Sequence, residues 1–338
     1  MMREPRKRRP TLKDIAAKVG VTKMTVSRYL RDPESVAEAT RVKIESVVSD
    51  LGYIPSRAPD ILSNSTSKAI GILIPSLSNQ VFSDLVKGIE SITKAAGYQT
   101  LLAHYGYSPE EEEEKIASLL SYHVDGLILS ESSHTDKALK MIQTAGVPVV
   151  ETMDLPQHPI DMVVGLDHHA AACAMVETMI ARGRRKILYL GARMDVRTRL
   201  RMEGYHQAMM SHGLTPIPVL TEEHSSFTLG CQLLDQALDT YPDTDGIFCT
   251  NDDIAVGALL RCQQRGLKVP DDICIAGYNA LDIGRSLYPP LASVKTPREA
   301  IGVEAAKMLL ARLAGETIHS RTRDLGYTLI TDGSLGEP

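Results

Sequence analysis

The sequence has few cysteines and no long apolar run. Its 338 residues include 5 cysteines, and no two of them form a C-x-x-C pair. An odd number without paired spacing disfavours a disulfide framework or a structural zinc site and favours reduced thiols in a cytoplasm. No apolar stretch approaches a membrane span, and no apolar segment follows the basic N-terminal residues, as a secretory signal would require. These absences predict a cytoplasmic protein with no membrane partner.

The sequence also lacks the common motifs of catalytic sites. It contains no P-loop, nucleophile elbow, H-E-x-x-H or G-x-G-x-x-G pattern. His168 and His169 are adjacent and would point about 100° apart on a helix, so they would not ligate one metal ion together. We therefore expect no enzyme activity, no cofactor and no metal site.

Charge is divided unevenly along the chain. Residues 1–60 contain 13 Lys and Arg against 8 Asp and Glu, a net charge of +5, whereas the whole chain carries −5. The basic segment, which includes the RKRRP run at 6–10, would be drawn to a phosphate-rich partner that the acidic remainder would repel. With 338 residues and 43% apolar content, two or three domains are expected.

The segment from Thr11 to Arg31 predicts two short helices joined by a turn. Thr11 and Asp14 match a capping box, and apolar residues then repeat at helical spacing as far as about Val19. Gly20 would end this helix, and Thr22 can cap the next one. The second helix would direct five side chains outward: Lys23, Met24, Ser27, Arg28 and Arg31.

This outward face suits DNA. Arg28 can donate two hydrogen bonds to guanine, Lys23 can reach a base or a phosphate, and Met24 can contact a thymine methyl group. A third helix would follow and end near Gly52. The same periodicity also fits a three-helix bundle with a solvated charged face.

From Lys68 onward, short apolar runs alternate with amphipathic helical stretches. The runs predict buried parallel strands at 69–74, 98–103, 125–130, 148–153, 186–191, 218–221, 245–250 and 272–278. This alternation predicts an α/β fold of doubly wound parallel sheets, and two sets of strands predict two lobes with a cleft between them.

Polar residues recur where these strands end, which is the edge at which open α/β sheets bind ligands. Each alone is more often a turn or a helix cap, but their recurrence at equivalent strand ends favours a polyhydroxylated ligand. They are Ser76, Asn79, Ser130, Glu131, Asn251, Asp252 and Asn279.

Both parts of the chain resemble one family. The segments DIAAKVGVTKMTVSRYLR and LGYIPSRAPDIL resemble the DNA-binding head and hinge of the lac repressor family, also called the LacI/GalR regulators. The segments IGILIPSLSNQVF, DGLILSE, DGIFCTNDDIAVGALL and VPDDICIAGY resemble its effector domain, which shares its fold with periplasmic sugar-binding proteins. Within the family, GILIPSLSNQVFSDLVKGIESI and GYQTLLAHYGY are similar to regulators of gluconate and idonate utilisation.

The resemblance implies a homodimeric repressor on a near-palindromic operator. A hinge helix near 56–63 would form on DNA and insert Leu62 into the minor groove. Pro59 is compatible with that helix in its first turn, with Ser56 as the N-cap. The C-terminal DGSLGEP carries no leucine heptad, which predicts a dimer rather than a tetramer. The implied DNA-binding residues are Leu12, Thr22, Lys23, Met24, Ser27, Arg28, Arg31, Tyr53, Ser56, Pro59 and Leu62.

The resemblance also implies a small, gluconate-like sugar acid as effector. Arg201, three residues before Gly204, would be its cation, because a guanidinium suits a carboxylate. The implied effector-binding residues are Ser76, Asn79, Ser130, Glu151, Arg201, Asn251 and Asn279. Family members often carry Asp where this chain has Asn279, so idonate, a ketogluconate or a neutral sugar is an alternative effector. A cytoplasmic sugar-binding protein or a sugar-acid enzyme with an accessory head is an alternative function.

The expected organisation follows from these segments. A basic tail would occupy residues 1–10, the helix-turn-helix domain 11–55, and the hinge helix and linker 56–66. The effector-binding and dimerisation domain would occupy 67–338. Its first lobe is expected at about 67–162 and 293–322, and its second lobe at about 163–290 and 323–338.

Overall fold

The computed structural model describes residues 8–56 and 66–337. These residues form two compact units, which divide between Ser67 and Lys68. The predicted hinge helix, with Pro59 and Leu62, lies outside the described residues except for Ser56, and so does the basic tail before Arg8.

The N-terminal unit contains the three predicted helices, α1 (Leu12–Val19), α2 (Lys23–Arg31) and α3 (Glu38–Leu51). The Asp14 carboxylate accepts hydrogen bonds from the backbone N–H and the hydroxyl of Thr11, at 2.7 and 2.6 Å. Gly20 ends α1 in the left-handed conformation that glycine adopts without strain, with φ of +77°. The helices enclose a small core of Ile15, Ala16, Val26, Val36 and Ile44.

The larger unit contains two sheets of six strands each. The first lobe holds β1 (Ala69–Ile74), β2 (Gln99–His104), β3 (Gly126–Leu129), β4 (Val149–Met153), β5 (Met162–Gly165) and β11 (Thr322–Asp324). The second lobe holds β6 (Ile187–Ala192), β7 (Ile217–Thr221), β8 (Gly246–Cys249), β9 (Cys274–Asn279), β10 (Ala292–Lys295) and β12 (Thr328–Ile330). The strand orders are β11-β5-β4-β3-β1-β2 and β12-β10-β9-β8-β6-β7, and the pairs are parallel except β10 with β12.

Helices alternate with these strands along the chain. Their bounds are α4 (Gln80–Thr93), α5 (Pro109–Ser121), α6 (Asp136–Ala145), α7 (His168–Ala181), α8 (Val196–Ser211), α9 (Phe227–Thr240), α10 (Asp252–Gln264), α11 (Asp282–Arg285) and α12 (Arg298–Leu313). Alternate residues of β1 enter two different apolar clusters, with Ile70 and Ile72 in one and Leu73 in the other. Both faces of the sheet are therefore covered, which confirms the predicted doubly wound α/β fold.

Three details differ from the sequence prediction. Strands β2 and β7 are edge strands and not buried ones, so Leu102 is 46% exposed and Leu220 is 42% exposed. Strands β5, β10, β11 and β12, of three or four residues each, were not predicted. The lobe boundaries also shift: the first lobe keeps β5 to Gly165 and β11 to Asp324, and the second keeps β10 to Lys295.

A glycine brings α7 and α8 close together. A Cβ atom at Gly204 of α8 would lie 2.1 Å from the carbonyl oxygen of His169 on α7, which is shorter than any real contact. Glycine at this position therefore permits a helix crossing that no larger residue would allow. This crossing sets the register between His168 at the start of α7 and Arg201 on α8.

Candidate DNA interface and ligand cleft

The predicted outward face of α2 is accessible in the structure. Met24 is 71% exposed, Lys23, Arg28 and Arg31 are also exposed, and Ser27 is half-buried. The Thr22 hydroxyl accepts a hydrogen bond from the backbone N–H of Thr25 at 3.2 Å, so Thr22 caps the helix as predicted. The helix therefore presents a rigid row of cationic and polar side chains to a partner.

A basic groove lies beside this face in the N-terminal unit. The groove has a volume of about 830 Å³. Four of the predicted DNA-binding residues line it together: Leu12, Lys23, Tyr53 and Ser56. Arg8, Arg9 and Lys13 also line it and were not in the predicted set. The groove therefore concentrates positive charge next to the outward face of α2, as binding to a phosphate backbone requires.

The carboxyl ends of the strands in both lobes meet at a cleft. A large outer cavity of about 510 Å³ adjoins a narrow inner pocket of about 20 Å³, and Asn79, Arg193 and Asp253 line both. Ser76, His104, Tyr107, His224 and Ser225 also line the outer cavity. Phe82, Met153, Asp195, Arg197, Arg201, Asn251 and Asn279 also line the inner pocket. The structure therefore brings together five of the seven predicted effector residues.

The polar residues of the first lobe are ordered by local hydrogen bonds. The Ser76 hydroxyl accepts from the backbone N–H groups of Ser78 and Asn79, at 3.2 and 3.3 Å. The Asn79 side chain caps α4 by accepting from the N–H of Val81, and its amide donates to the Tyr107 hydroxyl at 3.3 Å. Asn79 therefore caps α4 while its amide group remains at the cavity wall.

The second lobe contributes two asparagines that differ in their side-chain hydrogen bonds. The Asn251 side chain caps α10 by accepting from the N–H of Ile254, and its amide donates to the Ser225 hydroxyl at 2.7 Å. The side-chain oxygen of Asn279 is buried and has no hydrogen-bond partner among the described residues. Its backbone φ is +106°, a strained conformation, and the residue lines the inner pocket. An unsatisfied buried acceptor is costly, so a ligand hydroxyl group would be a favourable partner for it.

Arg201 is the cation of the inner pocket that has no carboxylate partner among the described residues. Its Nη1 atom donates to the carbonyl oxygen of Thr250 at 2.6 Å, and its guanidinium carbon lies 3.8 Å from the centre of the Tyr278 ring. Its Nε atom is buried and unpartnered in the described part of the chain. A buried guanidinium with a free edge is a ready site for a ligand carboxylate.

Two other arginines of the cleft are already paired. The Nε atom of Arg193 lies 2.9 Å from Asp195 and its guanidinium carbon lies 4.1 Å from the centre of the Tyr107 ring. Arg197 is buried, donates to the carbonyl oxygen of Ser130 at 2.8 Å, and lies 3.5 Å from Asp154 and 3.6 Å from Glu131. These contacts link the second lobe, which carries Arg197, to the first.

The pKa shifts follow from this pairing. Burial alone would raise the pKa of Asp195, but Arg197 and Arg193 outweigh it and hold that pKa at about 2. Burial opposes the charge on Arg197, yet Asp154 and Glu131 raise its pKa well above its usual range. Burial raises the pKa of Asp253, although Arg193 opposes this. Arg197 and Asp195 therefore both remain charged beside the inner pocket.

Sequence reasoning missed Arg193, Asp195 and Arg197. They follow β6, and the rule that had located Asn79 and Asn251 at other strand ends applies equally to this one. The segment GARMDVR at 191–197, with its three charged residues at a strand end, was the available signal.

Two predicted effector residues direct their side chains elsewhere. The Ser130 hydroxyl donates to the carbonyl oxygen of Leu73 at 2.9 Å, so only its backbone reaches Arg197. The Glu151 carboxylate is buried, accepts from the backbone N–H of Ile160 at 2.5 Å, and lines neither cavity. Glu151 lies within β4 rather than at its carboxyl end, and the structure does not bring its carboxylate to the cleft.

Glu151 belongs instead to a buried charged cluster in the first lobe. His134 Nδ1 lies 3.0 Å from Glu112, and His134 Nε2 lies 3.7 Å from Glu151. Burial opposes protonation of the imidazole, but the two carboxylates outweigh it and raise the pKa of His134 to about 9. His134 is therefore protonated at neutral pH, between the two carboxyl groups.

This cluster predicts a pH-dependent contribution to stability. A raised pKa in the folded state means that the stabilisation is complete below the unfolded pKa of about 6.5 and is lost as pH rises through about 9. Between pH 6 and pH 10, the free energy of unfolding of the wild type should fall by about 2–3 kcal/mol relative to His134→Gln. Urea unfolding of both proteins at pH 6 and pH 10 measures these free energies. The control His212→Gln, which changes an exposed histidine, should keep the pH dependence of the wild type. An equal pH dependence of the free energy of unfolding in His134→Gln and the wild type would contradict the prediction.

No helix in the described part of the chain is long and apolar enough to cross a membrane. Within residues 8–56 and 66–337, no group of His, Cys, Asp and Glu side chains is arranged to hold a metal ion.

Comparison with known proteins gives matches over nearly the whole chain. The family model described as bacterial regulatory proteins, lacI family, matches residues 11–56, and the model of periplasmic binding proteins and the sugar binding domain of the LacI family matches residues 67–328. The HTH-type transcriptional regulator GntR of Escherichia coli (strain K12) is 56% identical over 330 residues, which cover 98% of this chain and 100% of that protein. The HTH-type transcriptional regulator IdnR of the same strain is 50% identical over 331 residues, with 98% and 100% coverage. The crystal structure of the lac repressor dimer bound to operator and the anti-inducer ONPF aligns with a TM-score of 0.85 at 26% identity, over 98% of this chain and 100% of that one.

Proposed function

The chain belongs to the LacI family of bacterial regulatory proteins, and we propose that it represses genes of sugar-acid utilisation until a gluconate-like acid releases it from its operator. Its similarity to GntR and IdnR supports this assignment. We further propose that it acts in the bacterial cytoplasm, and as a regulator rather than an enzyme.

We choose a sugar acid as the effector because of the surroundings of Arg201. This guanidinium is buried beside the cavity, has no carboxylate partner among the described residues, and has an unpartnered Nε atom. Arg193 and Arg197 are neutralised by their own carboxylates, so they would not compete for an acid. A ligand carboxylate at Arg201 and hydroxyl groups at Asn279, Asn251 and Asn79 would fill the site.

DNA binding is assigned to α2 and to the basic groove. In a homodimer, like that of the lac repressor bound to its operator, two such heads would bind a near-palindromic site. Lys23, Met24, Ser27, Arg28 and Arg31 would face the major groove, and Arg8, Arg9 and Lys13 would contact phosphates. Pro59 and Leu62 remain proposed hinge residues.

The two activities would be linked through lobe closure. The contacts of Arg197 with Ser130, Asp154 and Glu131 join the lobes directly, and Arg197 also lines the inner pocket. A ligand that fills this pocket would change the relative stability of closed and open lobes. For release, it must bind the arrangement with low operator affinity more tightly, because equal affinity for both would shift nothing.

An operator-release experiment tests the proposal. The operator is first selected from random DNA with the wild-type protein, and its affinity is then measured by fluorescence anisotropy with gluconate, idonate, 2-ketogluconate or glucose. We expect a sugar acid to weaken operator binding by at least about tenfold, a typical allosteric coupling, and glucose to have no effect. Thermal-shift measurements should show stabilisation by the same acid. Release by glucose alone would contradict the assignment of an acid, and failure to select any DNA would contradict the assignment of a regulator.

A further inference from the structure

His168 is a buried histidine that lies beside Arg201 and contacts both lobes. Its Nε2 atom is 3.1 Å from the carbonyl oxygen of Met153 and 3.3 Å from Oδ1 of Asp154, both at the end of β4 in the first lobe. Its Nδ1 atom is 2.8 Å from the Tyr278 hydroxyl and 3.4 Å from Nη2 of Arg201, both in the second lobe. The side chain has no exposed surface.

These contacts define the protonation of the ring. Burial lowers the pKa of His168 despite the neighbouring Asp154 carboxylate, and the charge of Arg201 lowers it further, so the imidazole is neutral and carries one N–H. Two oxygen acceptors face Nε2, so the proton belongs on that atom. Nδ1 is then an acceptor, and the Tyr278 hydroxyl and Arg201 Nη2 are the donors that face it.

An uncharged acceptor beside Arg201 has a specific advantage. A carboxylate at this position would hold the guanidinium equally well, but it would neutralise the charge and compete with an acidic ligand. Arg193 and Arg197 are held in that way, by Asp195 and Asp154. At Arg201 the neutral ring of His168 and the carbonyl oxygen of Thr250 take the place of a carboxylate.

We propose that His168 is a positioning residue for the effector, which orients Arg201 through Nδ1 and preserves its charge for the carboxylate of a sugar acid. The inference rests on the proposed role of Arg201. It adds that selectivity for an acid over the corresponding neutral compound depends on the acceptor at Nδ1. Contact with the first lobe at Nε2 serves to fix the tautomer.

Two polar substitutions separate the two ring nitrogens. In His168→Asn, the side-chain oxygen can take the place of Nδ1 and accept from Arg201, while the donor to Met153 is lost. In His168→Gln, the amide nitrogen can take the place of Nε2 and donate to Met153, while the acceptor beside Arg201 is lost. His169→Asn is the matched control, because it makes the same change one residue further along α7 and outside both cavities.

Isothermal titration with gluconate and with gluconamide, its neutral amide, tests the proposal. We expect His168→Gln to lower gluconate affinity by about tenfold and to change gluconamide affinity by less than about threefold, so that the preference for the acid shrinks. His168→Asn should keep the gluconate affinity within about threefold of the wild type. His169→Asn should match the wild type for both compounds.

Other outcomes would overturn the inference in distinguishable ways. If His168→Gln lowered the affinity for both compounds equally, or if His168→Asn lost the preference for the acid as His168→Gln does, His168 would have only a structural role. If the wild type itself bound gluconamide as tightly as gluconate, the proposed acid effector would fail, and the inference with it. Nitrogen-15 NMR of labelled histidines gives a readout without ligand: a charged ring or an Nδ1–H tautomer at His168 at pH 7 would also overturn the inference.

Discussion

Replacing Arg201 with alanine is expected to lower the affinity for gluconate by about 100-fold while leaving operator affinity without ligand within about twofold of the wild type. The change removes the buried guanidinium whose Nε atom is free and whose charge no carboxylate neutralises in the described residues. Two charge-assisted hydrogen bonds to a carboxylate would be lost together. Operator affinity should be retained because Arg201 lies in the larger unit and α2 in the other.

Two further variants make this result specific. Arg201→Lys keeps the charge but cannot donate two hydrogen bonds in a fork, so we expect an intermediate loss of about tenfold. Arg199→Ala removes an exposed arginine of the same helix and should leave gluconate affinity unchanged. Isothermal titration measures each affinity, and a melting temperature close to that of the wild type would show that Arg201→Ala is folded. An unchanged gluconate affinity in Arg201→Ala would remove the basis for an acidic effector.

Topology explains why part of this site could be predicted from the sequence. Parallel strands place their carboxyl ends along one edge, so polar residues that follow different strands are brought together whatever the rest of the chain does. Asn79, Asn251 and Asn279 were located in this way. Glu151 was inferred from the family resemblance alone; it lies within β4, and its carboxylate faces His134.

Other parts of the site depend on packing that periodicity does not report. His168 and Arg201 are 33 residues apart, and they meet because α7 and α8 cross closely at Gly204. The adjacent histidines had suggested only that a shared metal site was unfavourable. The pairing of Arg197 with Asp154 likewise depends on contact between two lobes, which no local pattern encodes.

The double variant Lys23→Ala with Arg28→Ala is expected to reduce specific operator affinity by at least about 1,000-fold, to the level of non-specific DNA binding. Both side chains are exposed on α2, and each is present twice in a dimer, so four contacts are lost at once. A lost contact to a base costs about 1–3 kcal/mol, which makes the combined loss large. Gluconate affinity should be unchanged, because the cleft belongs to the larger unit.

The single variants should separate the two roles. Arg28→Ala should relax the base preference at one position of each half-site. If Lys23 contacts a phosphate, Lys23→Ala should weaken binding to all sequences equally. The number of counterions released on binding, measured by the salt dependence of the affinity, should then fall by about one per head. Fluorescence anisotropy on the selected operator and on single-base variants, at several salt concentrations, distinguishes these outcomes. Lys43→Ala with Lys94→Ala is the matched control, because it removes two exposed positive charges that are not on α2 and should retain specific binding. If this control lost operator affinity as fully as the test variant, net charge rather than the face of α2 would account for recognition.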